Sequence, residues 1–281
     1  MTVKIVTDSL SDITSDIAQE LGITVVPLTV LFGHETFLDR VTITTDEFYY
    51  KLTHEAVWPT TTQPPPGDFL DVYNKLAEET DEILVVTLSS KLSGTYESAL
   101  NAKGLVEKKC RIEVIDSLTV AMGLGLIVIA AAKAAQAGAN LDALTDLVRR
   151  AMLRSHFIAF FDTLKYLAKG GRIGKAKGLL GSLLSMKPIL TVKEGEIAPL
   201  TTRRTVAAGM DYLYNFVAGF ANIEELAVEH ATTPDVADKL VERLNSVFPK
   251  ERIYRSTVSP VLGTYGGPGA MAITVLEAEK K

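Results

Sequence analysis

Short β-rich runs alternate with helical runs through the first half of this chain, and that alternation constrains its fold more than any other feature. Val3–Thr7 and Thr24–Leu31 read as strands, separated by a helix over Ser15–Leu21 that stops at Gly22. Thr44-Thr45-Asp46-Glu47 is a capping box that opens a short helix. The pattern then predicts helices over Gly67–Glu79 and Thr95–Val106 and strands over Ile83–Leu88 and Ile112–Ile115. Two long helices follow, around Ala121–Ala137 and Leu141–Arg154. Strands joined through helices can lie parallel, so the βαβα order predicts a largely parallel sheet sandwiched by helices.

After Leu153 the pattern changes. His156–Phe161 is a predicted strand, followed by two short helices around the glycines of Lys169–Gly181. Lys187–Val192 and Ile197–Thr202 flank Glu194-Gly195, a β-hairpin turn. Beyond it come a helix over Thr205–Phe220, a strand over Leu226–His230, and a helix over Pro234–Val247. That last helix has Thr233 as N-cap and Pro234 at its first position. Ile253–Val258 and Met271–Leu276 complete the strands. The expectation is two domains: an N-terminal α/β domain over 1–153, and a C-terminal α/β domain over 154–281 with a mixed or antiparallel sheet. No low-complexity linker separates them, so tight packing is expected.

Composition narrows the function. A formal net charge of −5 argues against a nonspecific nucleic-acid binder, which needs a basic surface. The most apolar stretch, Val120–Ala132, falls short of the ~20 residues that cross a bilayer and reads as a buried core helix. The N-terminus reaches Asp8 before any apolar segment of signal length develops, and the expected location is the cytoplasm. The single cysteine, Cys110, excludes an internal disulfide. Lys108, Lys109 and Arg111 around it would lower its pKa, but a cysteine opening a strand is assigned to packing.

Familiar catalytic signatures fail when tested. The four histidines are scattered without zinc-site spacing. Gly170-Gly171-Arg172-Ile173-Gly174-Lys175 hints at a phosphate loop, but Lys169 stands where its first glycine belongs and Ala176 replaces the Ser/Thr. No Gly-x-Ser-x-Gly elbow occurs. What recurs instead is a strand that ends in hydroxyls and opens a helix: Thr7-Asp8-Ser9, Ser89-Ser90 with Ser93-Gly94-Thr95, and Asp116-Ser117. In a parallel sheet such loops gather at the carboxyl ends of the strands, where open α/β folds bind ligands. Ser93 is placed either to cap its helix or to offer its hydroxyl to an anion. Asp8 and Asp116 do not suit an anion site and read as braces for their loops. Thr60-Thr61-Thr62-Gln63-Pro64-Pro65-Pro66-Gly67 adds a donor-rich loop stiffened by three prolines.

Taken together the motifs resemble the DegV family, bacterial fatty-acid-binding proteins that present acyl chains to a fatty acid kinase. The matching pieces include Thr7-Asp8-Ser9, Thr61 through Gly67, Leu88 through Tyr96, Asp116-Ser117, and Asp162-Thr163-Leu164-Lys165-Tyr166-Leu167. The last runs into Gly170 through Gly174, then Lys187-Pro188-Ile189-Leu190 and Gly266-Gly267-Pro268-Gly269 follow. They run in family order along nearly the whole chain. The resemblance implies a two-domain α/β protein that buries one long-chain fatty acid between its domains, with no further cofactor and no metal. It implies a carboxylate held by Thr61, Thr62 and Ser93, with Arg172 close by. Where the family often has histidine, this chain has Tyr265, which donates one hydrogen bond. Phe157, Phe160, Phe161, Leu164 and the Val120–Ala132 helix are the candidates to line an acyl tunnel.

Two readings of function follow. In the first, the chain is a noncatalytic carrier in phospholipid metabolism, and its partner, the kinase subunit, phosphorylates the bound carboxylate. Arg203 and Arg204, adjacent at the end of a hairpin strand, are candidates for docking that partner. Side chains adjacent on a strand point apart, so at most one of the two is expected to be structural. In the second reading the chain is a phosphotransferase or hydrolase on a related α/β scaffold. The missing phosphate loop and missing nucleophile–base pair favour the carrier.

Overall fold

A computed structural model describes residues 2–179 and 186–279. Three sheets organise it. The first is parallel throughout, in the order β2-β1-β6-β7, with β1 at Lys4–Asp8, β2 at Ile23–Val26, β6 at Glu82–Thr87 and β7 at Arg111–Asp116. A small antiparallel sheet, β4-β3-β5, joins β3 (Thr29–Phe32), β4 (Glu35–Leu38) and β5 (Thr60–Thr62). The third sheet runs β10-β9-β8-β13-β11-β12. Its members are β8 (Ser155–Phe160), β9 (Lys187–Lys193), β10 (Glu196–Arg203), β11 (Ile223–His230), β12 (Ile253–Thr257) and β13 (Met271–Glu277). Only its β11–β12 pair is parallel. The fold is thus α/β, with one parallel and one mixed sheet.

The helices follow from their caps and apolar faces. Thr14 caps α1 (Ser15–Leu21), and the Thr44–Glu47 capping box opens α2 (Thr45–His54) with both of its reciprocal hydrogen bonds present. Pro66 begins α3 (Pro66–Ala77), and α4 spans Thr95–Lys103. In α5 (Met122–Gln136) 11 of the 15 residues are buried, as expected of a helix that is largely apolar. Asn140 caps α6 (Leu141–Arg154), α7 is the short Lys165–Lys169, and Thr205 caps α8 (Val206–Ala218). α9 covers Pro234–Leu244 and α10 covers Pro260–Gly266. No described helix is long and apolar enough to cross a membrane.

Some expectations need correction. The strand expected over Thr24–Leu31 is two strands in different sheets, broken at Pro27, which has no N–H to give a ladder. Thr60–Thr62, expected as a loop, is β5 and pairs with β3. Thr233 stands at the N-cap of α9 with Pro234 first in the helix, as expected, although its side chain makes no cap bond. α10 was not anticipated at all, because its sequence, Pro-Val-Leu-Gly-Thr-Tyr-Gly, is short and holds two glycines. Of the two short helices expected around Lys169–Gly181, the second is a 3₁₀ turn over Gly174–Leu179, and the reach to Gly181 lies outside the described residues. The hairpin turn holds: Glu194 and Gly195 both take positive φ, which the twist of a two-residue hairpin loop favours.

Two buried clusters divide the mixed sheet's faces. The larger collects residues from both halves of the chain, including Leu10, Leu88, Leu124, Phe157 and Ala272. The smaller fills the space under α8 and α9 and contains Ile158, Phe160, Leu213 and Ile273. Strand alternation therefore sends Phe157 and Ala159 to one face of β8 and Ile158 and Phe160 to the other. The Phe160 ring lies against α8: a Cβ at Gly209 would sit 2.4 Å from it. Gly209→Ala should therefore destabilise the protein by about 1–3 kcal/mol through overpacking, outweighing the helix-propensity gain of about 1 kcal/mol. Gly67→Ala, where a Cβ meets nothing within 4 Å, should be neutral or slightly stabilising. Urea midpoints of the two variants measure the contrast.

Candidate ligand-binding site

A cavity of about 340 Å³ lies between the carboxyl ends of β1 and β6 and the inner face of the mixed sheet. It falls at the lower end of the roughly 300–1,000 Å³ typical of small-molecule sites. Leu10 and Leu88, just past β1 and β6, face Phe157 and Ala159 of β8 across it. Val261 and Leu262 of α10 add to an apolar wall.

The wall turns polar where β5, the Leu92–Ser93 loop, Arg172 and α10 converge. The Thr61 and Tyr265 hydroxyls, 204 residues apart in sequence, hydrogen-bond at 2.5 Å. The Arg172 guanidinium stands 5.3 Å from the Tyr265 ring centroid. Its Nη1 donates to the Gly170 carbonyl at 2.9 Å and its Nε to the Leu92 carbonyl at 3.4 Å, and its remaining N–H groups have no partner among the described residues. Ser93 adjoins this patch, and its hydroxyl pairs with that of Thr95 at 2.9 Å. The N-cap of α4 is Gly94, not Ser93, so Ser93 is not a helix cap. The Thr62 hydroxyl has no protein partner among the described residues, and Gln63 completes the patch. Hydroxyls, an amide and a guanidinium beside an apolar chamber can hold an anionic head group and bury an apolar tail.

Of the residues expected at the site, Thr61, Thr62, Ser93, Arg172, Tyr265, Phe157 and Phe161 line this cavity. Phe160 does not, because alternation turns it to the opposite face of the sheet. Leu164 is buried at the start of α7 without reaching the cavity; Leu167, one turn on, lines it instead. From the apolar stretch Val120–Ala132, only Val120 and Ala121 touch the cavity, since α5 runs away from it into the core. Arg203 and Arg204 lie outside it. Arg203 is held over the Tyr212 ring at 4.4 Å and donates to Thr201 and Thr202, whereas Arg204 is exposed and unpaired among the described residues. Sequence reasoning missed Gln63 and Glu229. Gln63 stood inside the quoted motif; Glu229 showed itself only as an acid interrupting the apolar run Leu226-Ala227-Val228.

The loops behind the cavity are braced by acids, as expected. Asp8 accepts from the Leu10 and Leu88 amides, and Asp116 from the Ser90 and Leu118 amides. At Cys110 burial and the nearby Asp81 push the thiol up, outweighing Lys108, which accords with its assignment to packing.

A family profile described as "Uncharacterised protein, DegV family" matches residues 2–278. The chain belongs to the DegV family. It is 36% identical to a DegV domain-containing protein of Caldanaerobacter subterraneus, over 96% of this chain and 97% of that protein. Among solved structures it resembles a DegV family protein from Thermus thermophilus described by its fatty acid binding, with 31% identity and a TM-score of 0.91. That match covers 99% of this chain and all of the other. A fatty-acid-binding DegV protein from Bacillus subtilis matches at 28% identity and a TM-score of 0.90, again over 99% of this chain and all of the other.

Burial also fixes a pH dependence. Asp8 and Asp39 are each pushed up to about 7, chiefly because burial penalises their charged forms. A carboxyl whose folded pKa is raised binds its proton more readily folded than unfolded. Its contribution is complete below the unfolded value of 3.8 and is lost as pH rises through about 7. Chemical denaturation at about pH 5 and about pH 8 should show a weaker fold at the higher pH. Asp39→Asn, which keeps an acceptor for the Ser9 hydroxyl, should reduce that slope.

Proposed function

We propose that this chain is a carrier for one long-chain fatty acid, itself noncatalytic, which holds the acyl chain in the apolar cavity and offers the carboxylate to a partner kinase. The observation that carries this reading is the single convergent patch of donors, Thr61, Thr62, Ser93, Tyr265 and Arg172, on an otherwise largely apolar chamber. The fatty acid binding described for the Thermus and Bacillus relatives supports it. Burying some fifteen methylenes at about 0.8 kcal/mol each gives roughly 12 kcal/mol gross. Association and chain ordering remove several kcal/mol, and a useful affinity remains. A buried carboxylate needs hydrogen-bond donors and a nearby cation, which the hydroxyls and Arg172 supply. The ligand then spans the contact between residues 1–153 and 154–281.

The protein should purify with long-chain free acid in near one-to-one amount, as read by native mass spectrometry and organic extraction. A protein without bound acid that also declines added palmitate and oleate would end the carrier reading. Ser93→Ala should weaken acid binding about ten- to a hundredfold, the loss of one charge-assisted hydrogen bond. Thr61→Ala should act similarly and non-additively with it if both hydroxyls grip one carboxylate. Methyl esters should bind wild type more weakly than acids, with a narrower gap in the mutants.

Of the two candidate docking arginines, Arg204 is the one without a partner among the described residues, since Arg203 is engaged with Tyr212 and its own strand. Arg204→Ala should leave fatty-acid affinity unchanged and lower acyl-phosphate formation with the cognate kinase. Turnover equal to wild type would place docking on another surface.

A further inference from the structure

The turn between β9 and β10 reaches the loop that bears Ser93 without itself lining the cavity. At its tip the Gly195 carbonyl accepts from the Ser89 hydroxyl at 2.8 Å, a contact that joins two segments 106 residues apart. Both residues are buried. The fit is close: a Cβ at Gly195 would lie 2.6 Å from the Ser89 Oγ. Ser89 does not line the cavity either.

The loop that Ser89 opens is the one that carries Leu92 and Ser93 into the cavity wall. The Ser89 Oγ accepts from the Lys91 amide at 3.2 Å. Its carbonyl accepts from the Leu92 amide at 3.0 Å and the Ser93 amide at 3.2 Å, while its own amide donates to the Thr119 carbonyl at 2.8 Å. The course of the chain from Ser89 to Ser93 is therefore set at Ser89. The same hairpin tip meets the segment that follows Arg172, where Lys175 pairs with Glu194 at 3.1 Å and Glu196 at 3.3 Å. Those ion pairs are exposed and weigh little, whereas loss of the Ser89 hydroxyl would take buried partners from both the Gly195 carbonyl and the Lys91 amide.

We propose that Ser89 is a positioning residue for carboxylate recognition: by fastening its loop to the hairpin tip, it aims the Ser93 hydroxyl at the acid head group. The inference rests on the fatty-acid reading above. Hydrogen bonds weaken steeply as their angle closes, so a loop left to shift loses the bond to the acid. Much of the apolar wall comes from β8 and α10, and its hold on the acyl chain does not pass through Ser89.

Binding of palmitic acid and of its methyl ester to delipidated protein separates head-group recognition from burial of the chain. Ser89→Ala should weaken the acid about tenfold, the loss of one charge-assisted hydrogen bond, and leave the ester within about twofold of wild type. Gly195→Ala, which crowds the same hydroxyl from the other side, should narrow the acid-to-ester ratio in the same way. In a Ser93→Ala background, Ser89→Ala should weaken the acid far less than it does alone, because one residue acts through the other. An acid-to-ester ratio equal to wild type, in whichever single variant folds, overturns the proposal. An equal fall for acid and ester, the mark of general damage to the cavity, overturns it too, as does full additivity with Ser93→Ala. Wild type that binds acid and ester alike ends this inference alone, and wild type that takes up neither ends the carrier reading as well.

Discussion

Parallel strands end in loops whose amides no ladder satisfies, and in this chain aspartates take them up. Asp8 accepts from the Leu10 amide at 3.0 Å and, across the sheet, from the Leu88 amide at 2.7 Å. One strand further on, Asp116 accepts from the Ser90 amide at 3.1 Å and from the Leu118 amide at 3.0 Å. These bonds fix the loops after β1, β6 and β7 against one another. Leu10, Leu88 and, through Ser90, the Leu92–Ser93 loop are the parts of the cavity wall that those loops carry. The cavity thereby inherits the rigidity of the parallel sheet, and a ligand meets walls already ordered.

The other half of the cavity comes from a sheet of different logic. Antiparallel pairing places β8 and β13 side by side, and alternation alone decides what faces the ligand. On β8 that rule separates Phe157 from Phe160, two rings that look equivalent in the sequence. Glu229 is placed by the same rule. The inner face admits it only because Met122 and the Asp12–Arg40 pair stand behind it.

Much of this was legible from residue order. Helix starts at Thr14, Thr44 and Thr205 announce themselves through capping chemistry, which acts within four residues. The donor motifs were legible because family resemblance ties them together. What the sequence hid is whatever depends on distant partners. The split at Pro27 required knowing that β3 joins β5 and β4, away from β2. The strand character of Thr60–Thr62 comes from its pairing with β3, not from its own composition. α10 owes its existence to packing against α2 and α7, and its short glycine-containing sequence carries no strong helical signal.

α7 and α10 meet through two reciprocal contacts, with the Tyr265 ring against Gly170 and the Tyr166 ring against Gly267. A Cβ at Gly170 would come within 2.4 Å of Tyr265, and one at Gly267 within 2.3 Å of Tyr166. Each ring occupies the room that the other helix's missing side chain leaves, and Trp58 stacks on the outer face of Tyr166. The hydroxyl that reaches Thr61 is thus aimed by two residues with no functional group at all. Changes at those bare positions would register as an altered geometry of the donor patch, although neither glycine carries a side chain. In this protein the chemistry of the donor patch is written partly in hydrogen atoms on α-carbons.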